Sequence, residues 1–194
     1  MTRISRILTL VVCALVGGCA GGNEIEAIYV LSAPATPPVS AGTSAQILVP
    51  EPRALEAYGT NRIPVSPSAI TLVYYPDVVL QDTVPKVMQH VLLETFQNTG
   101  RVRAVGLPGQ SLLINYQVVT EIRAFQAETF GTDRARVSVS AKILDDSNGR
   151  VVADRVFTTV VGMPGDGPDD AATALNAAVQ SLSTDIVAWT LATI

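Results

Sequence analysis

The sequence is poor in the side chains that most enzymes use for chemistry. Of its 194 residues one is histidine, His90, and two are cysteine, Cys13 and Cys19. A single histidine excludes a metal site built from several imidazoles, and no nucleophile stands in a pattern that supports a His-centred triad. Both cysteines lie near the N-terminus, so the chain beyond residue 19 has no disulfide and no cysteine-based metal site. Charged residues make up only 15%, with Lys+Arg 13 against Asp+Glu 17. This mildly acidic balance, without any Lys/Arg run, argues against nucleic acid as a partner. Aromatic residues are scarce at 5%. Long apolar runs are missing too: Ile7 to Val16, broken only by Thr9, is about half the ~20 residues that a bilayer span needs. What the chain does have is 48% hydrophobic residues, rich in Ala and Val, enough to build a core from sheet and helix burial alone.

The N-terminal segment carries the clearest signal. Arg3 and Arg6 give a basic start, the short apolar run follows, and Val16-Gly17-Gly18-Cys19 closes it. Small residues before a cysteine look like a bacterial lipobox, in which the Cys19 sulfur takes a diacylglycerol and the peptide is cut before it. The alternative is an ordinary secretory signal cut near Ala20, with Cys19 a bystander. The expected organisation is residues 1–18 as lipoprotein signal peptide, 19–24 as lipidated N-terminus and tether, and 25–194 as one domain. Arg3 and Arg6 leave with the peptide, which takes the basic count from 13 to 11 against 17 acidic residues, a net −6. Two or more acyl chains anchor stably where one binds marginally. Ala20 follows the anchor instead of Asp, which resembles an inner-membrane retention signal, so the outer membrane, facing the periplasm, is the expected location.

Along the domain, short strands are expected at Tyr29-Val30-Leu31, at Ile47-Leu48-Val49 and over Ile70 to Tyr75. The stretch from Ala33 to Ser44 reads as a loop, and Arg53 to Pro67, with prolines at 64 and 67, as irregular. Asp82 to Asn98 is the first helix, capped by Asp82 and stopped by Gly100. Val84, Val87, Met88, Val91, Leu92 and Phe96 form its apolar face. Ile114, Tyr116, Val118, Thr120 and Ile122 alternate with wetter residues, as do Val137, Val139, Ala141 and Ile143. Asp145 to Gly149 is a turn, and Val151 to Val161 returns antiparallel. A long final helix from about Pro168 carries the stripe Leu175, Val179, Leu182, Ile186 and Trp189. The order β-β-β-α-β-β-β-β-α, without repeats or a second domain, predicts an α/β (α+β-like) fold: a mostly antiparallel mixed sheet with two amphipathic helices packed on it.

Candidate chemistry is thin. His90 falls between the apolar stripe and the wet side of its helix. Asp145-Asp146 and Asp169-Asp170 suit a turn and a helix start. The glycine-rich stretch from Gly162 to Gly167 lacks the lysine motif of a phosphate cradle. Neither catalytic residues nor a cofactor or metal is expected. Binding is better served: Gln117, Glu121, Arg123, Arg136, Ser138 and Lys142 share a face if their strands pair, against the plain alternative of a solvated sheet face. Arg123 and Arg136 are therefore candidates for partner docking. Trp189 is a third, if the last turns of the final helix project for self-association as a homo-oligomer or for a partner instead of packing on the sheet.

The order of these features resembles the ABC-type transport auxiliary lipoprotein family, from about Tyr29 to Trp189. It is carried by Tyr29-Val30-Leu31 soon after the cysteine, Ile47-Leu48-Val49-Pro50, the Leu55…Tyr58…Arg62-Ile63 loop, and the Asp145 to Gly149 turn. Val151-Val152, Arg155-Val156-Phe157 and the closing Asp185-Ile186 and Trp189 complete it. Many relatives place a tryptophan-led segment ahead of the first helix, where this chain has Tyr75-Pro76-Asp77. The resemblance implies a non-enzymatic accessory lipoprotein of an MCE-type lipid transport system, partnered by an MCE-domain protein and an ABC permease/ATPase complex. The competing expectation is an envelope assembly lipoprotein that holds lipid or glycolipid itself, which needs an apolar pocket of roughly 300–1,000 Å³.

Overall fold

Residues 25–111 and 113–194 are described by a computed structural model; the signal peptide, Cys19 and the tether lie outside the described residues. The strands are β1 (Ala27–Tyr29), β2 (Thr43–Leu48), β3 (Arg53–Ala54), β4 (Arg62–Ser68), β5 (Thr71–Leu80), β6 (Val102–Gly106), β7 (Tyr116–Glu128), β8 (Arg134–Asp145) and β9 (Arg150–Gly162). Two helices, α1 (Val84–Thr99) and α2 (Pro168–Thr193), and a 3₁₀ turn at Glu56–Tyr58 complete the described chain. The strands form one mixed, nine-stranded sheet. Its spine is β7. One edge of β7 pairs antiparallel with β8 over nearly its whole length, and β8 in turn with β9. The other edge receives β2, β3 and β4 in succession, each in parallel over a few residues. Strand β6 joins β2, and β5 and β1 extend outward from β4.

Both helices cover one face of this sheet. All six residues expected in the α1 stripe are buried, and Leu175, Val179, Leu182 and Ile186 of α2 are fully so. Helix α2 lies on β7, β8 and β9 and against α1, where the Thr95 and Ser183 hydroxyls meet at 3.3 Å. Gly100 ends α1 at φ 61, the left-handed conformation that a residue with a Cβ adopts at a cost. The start of α1 differs from expectation. Thr83 occupies the cap position without a side-chain bond, and Asp82 stands one residue earlier. Asp82 instead accepts the Thr83 N–H at 2.7 Å and pairs with Lys86 at 3.5 Å, and the N–H bond foremost holds its carboxyl below its ordinary range.

The region before α1 holds five strands where three were expected. The stretch read as irregular contains β3, the 3₁₀ turn and β4. Prolines 64 and 67 cannot donate to a ladder, which normally argues against a strand. Here the β4–β5 register breaks on both sides of the Pro64–Val65 pairs, and β7 touches β4 only at Val65 and Ser66. Strand β5 runs past Tyr75 to Leu80, carried through Pro76 and a left-handed Asp77 at φ 57 by an irregularity in that same pairing. The Asp145–Gly149 turn is as expected: Asp145 accepts from the Ser147 hydroxyl at 2.6 Å and its N–H at 2.9 Å, which lowers its pKa.

Candidate functional site

The sheet face away from the helices carries an open groove of about 750 Å³. Its floor comes from β7 and β8, whose outward residues are fixed by period-2 alternation with one interruption. Ile122 pairs with Val139 and Ala124 with Ser138, so Arg123 is an extra residue, a β-bulge. Before it Val118, Thr120 and Ile122 face the core. After it Phe125 and Ala127 do, and Gln126 and Glu128 turn outward with Arg134 and Arg136 as their cross-strand partners. The bulge thereby brings a carboxylate and two guanidiniums to one corner of the face.

Glu128 is the centre of that corner. It is 3% exposed, and burying a carboxylate is costly unless it is paired and hydrogen-bonded. Arg134 supplies a charge-assisted bond from Nε at 2.6 Å, and Arg136 stands 3.8 Å from the other oxygen. The two side chains remain 42% and 44% exposed, so each arginine presents much of its surface to the groove. Gln126 donates to Glu128 at 3.4 Å and accepts from the Tyr58 hydroxyl at 2.6 Å, which extends the network to the 3₁₀ turn. The Tyr58 hydroxyl is pushed above its usual pKa, chiefly by burial, with Arg136 opposing. Arg123 also lines the groove and, among the described residues, makes no ion pair. Three arginines and one carboxylate among its lining give the groove a positive excess on a chain of net charge −4. Ile70, Phe130 and Val156 supply its apolar lining. The arrangement suits an anionic or acidic partner with some apolar surface.

The sequence-selected residues fall on two sides of the sheet. Gln117, Glu121, Ser138 and Lys142 share the outer face with the groove, as the strand pairing required, and Arg123 and Arg136 line the groove itself. Trp189 is elsewhere. It is half-buried on the side of α2 that meets the sheet, its ring edge-on to Phe157 of β9 with centroids 5.5 Å apart. Glu128, Gln126 and Arg134 were missed, because the alternation read from the sequence stops at Arg123 in β7 and begins at Arg136 in β8. The signal was present as Phe125 and Ala127, which resume the apolar alternation one residue out of phase. His90 is exposed on α1. Among the described residues no group of three or more His, Cys, Asp or Glu could hold a metal ion.

A family model described as ABC-type transport auxiliary lipoprotein component matches residues 29–187. An uncharacterized protein of Bradyrhizobium diazoefficiens is 29% identical over 91% of this chain, which spans about half (47%) of that relative's length. A crystal structure of a Xanthomonas campestris protein superposes with a TM-score of 0.80 at 26% identity, over 86% of this chain and 95% of that one. The PelC dodecamer of Paraburkholderia phytofirmans shares the fold at a TM-score of 0.50 and 16% identity, over 77% of this chain and 92% of that one.

Proposed function

Because the chain belongs to the ABC-type transport auxiliary lipoprotein family, we propose that it is a non-enzymatic accessory subunit of an MCE-type transport system. It is held through a Cys19 lipid anchor on the periplasmic side of the outer membrane and assists the passage of phospholipid or another hydrophobic substrate. The observation that carries this reading is the arginine groove, a prepared binding surface without a catalytic constellation. Arg123 and the free faces of Arg134 and Arg136 receive an acidic segment of the MCE-domain protein or the permease complex, steered by opposite charge. Trp189 offers a second contact where the last turn of α2 reaches the sheet margin.

Purification of the tagged full-length lipoprotein under mild solubilisation tests the reading. The wild type is expected to bring down the MCE protein and ABC components, and Arg123→Glu, which touches no ion pair among the described residues, to lose them while melting normally. A wild type that purifies without any of them overturns the role. Cys19→Ser should release the protein from membranes with the fold intact. A second reading, in which the domain itself holds lipid, has the volume it needs in the groove, about 750 Å³, but meets a lining of arginines and Glu128 where it calls for an apolar one. Mass spectrometry of the gently purified domain would find retained lipid on that reading and none on the first.

A further inference from the structure

Strand directions decide which end of the molecule faces the membrane, given the Cys19 anchor just proposed. Strand β1 is parallel to β5, with Ala27 opposite Val78, and the Glu26 N–H bonds the Asp77 carbonyl. Traced backward from Ala27, the chain therefore heads toward the start of β5 and the β4–β5 turn. That turn is Ala69-Ile70, closed by the Ser68–Thr71 pair and a 2.8 Å bond between their hydroxyls. Ile70 is 97% exposed, the most exposed of the large apolar side chains described.

The distances fit. Val79, the β1 partner of Ile28, is level with Arg62, and from Arg62 to Ser68 strand β4 rises about 20 Å. From Cys19 to Ala27 the chain reaches at most about 29 Å fully extended. A lipid on Cys19 can thus reach the plane of Ile70 and pass it by only about 9 Å. The β8–β9 turn is at the opposite end. Asp145 pairs with Tyr116 where β7 begins, whereas Glu128, where β7 finishes, pairs with Ser66 and Arg134. Those ends are about 40 Å of strand apart, and the tether would have to reverse to put the β8–β9 turn on the membrane.

We infer that the end formed by the β4–β5 and β7–β8 turns rests on the anchoring membrane, with Ile70 entering the headgroup layer beside the anchor. The occupant of this surface is the phospholipid bilayer. The location of charge agrees: the groove that holds Arg123, Arg134 and Arg136 is bordered by Ile70 and by Phe130 of the β7–β8 turn, so it adds positive charge to this end, which favours an anionic membrane surface without placing headgroups in the groove that the acidic partner fills. The acyl chain and the turn are then two attachments, which fix the orientation of the domain where a lipid alone would let it swivel.

The cysteine content makes the test direct, because an acylated Cys19 leaves no free thiol in the mature chain. Ile70→Cys, and Asp146→Cys in the β8–β9 turn as control, are each labelled with an environment-sensitive fluorophore on the lipidated protein. The protein is then reconstituted on phosphatidylethanolamine–phosphatidylglycerol vesicles carrying spin-labelled lipid. The expected result is a blue shift and loss of most emission at position 70, with position 146 unchanged. Protein that floats with the vesicles but shows no quenching at 70, or is quenched at 146 instead, overturns the orientation and leaves the anchor standing. Protein that takes label without an added cysteine and fails to float overturns the anchor, and the orientation with it.

Discussion

The two faces of β7 and β8 are made from the same strands and obey opposite rules. Toward the helices, Val118, Ile122, Phe125, Val137 and Val139 meet Leu175, Val179, Leu182 and Ile186 in a fully buried apolar layer. Toward solvent, the neighbours of those residues hold Glu128 among arginines and leave a groove open. One side is specified by volume and the other by charge. The difference teaches that perturbation should be tolerated unequally: the inner face fails when polarity is introduced, the outer face when a partner is removed.

The largest effect is expected from Ile186→Asp, which puts an unpaired charge into the layer between α2 and the sheet. A cost of several kcal/mol should abolish cooperative unfolding, read by circular dichroism on heating; a variant that melts like the wild type would mean the inner face is not the core. Next is Arg134→Met, which leaves the Glu128 carboxylate with only the more distant Arg136 and the 3.4 Å bond from Gln126. A loss of about 2 kcal/mol is expected in urea titration. Glu128→Gln should cost about half as much, since the freed guanidiniums can turn to water. Equal losses would show that the pair is not governed by the burial of the carboxylate.

Much of the inner face was legible because periodicity survives in the sequence. The three- and four-residue spacing of α1 and α2, and the alternation of Val137 to Ile143, place residues on the correct side without knowledge of neighbours. The outer site was half legible. Arg123 and Arg136 fall on its face by alternation, but a bulge changes phase, and its local sign, apolar Phe125 and Ala127 one residue out of step, becomes decisive for Gln126 and Glu128 only once those two are seen against Val137 and Ala135. Strand β4 was hidden for a related reason. Its prolines carry a local signal against a strand, and it is long-range pairing with β5 and β7 that overrides them.

Two finer effects sharpen the contrast. The Tyr75 hydroxyl donates to the Asp166 carbonyl at 2.7 Å and its pKa is pushed up to about 12, by burial first and by the Asp166, Asp133 and Asp170 carboxylates next. The unfolded chain loses that proton near its ordinary value of 10.0. The contribution is thus intact below pH ~10 and lost as pH rises toward ~12. Tyr75→Phe should make the alkaline decline in stability shallower, a change visible in a pH series of chemical melts; an unaltered slope would dismiss the linkage. The smallest stability effect is expected for Arg123→Ala, within about 0.5 kcal/mol, because its side chain is exposed and forms no ion pair among the described residues. A larger loss would show that the bulge itself depends on that arginine.

The first and last elements of the domain hold each other. The Tyr29 hydroxyl donates to Asp169, the Ser32 N–H to Asn176 at 2.9 Å and the Gln180 amide to the Ser32 hydroxyl at 3.2 Å, across separations of 140 to 148 residues. Closing so long a loop delays the contacts that reward it. A chain threaded through a membrane from its N-terminus presents β1 first and α2 last, so β1 gains these helix contacts only once the final residues have emerged. The strand that opens the described fold would then be among the last to become ordered, and a chain stalled before α2 would expose β1 and the apolar inner sheet together. The arrival of α2 therefore does two things at once: it covers the apolar inner face of the sheet and ties down the strand at the other end of the chain.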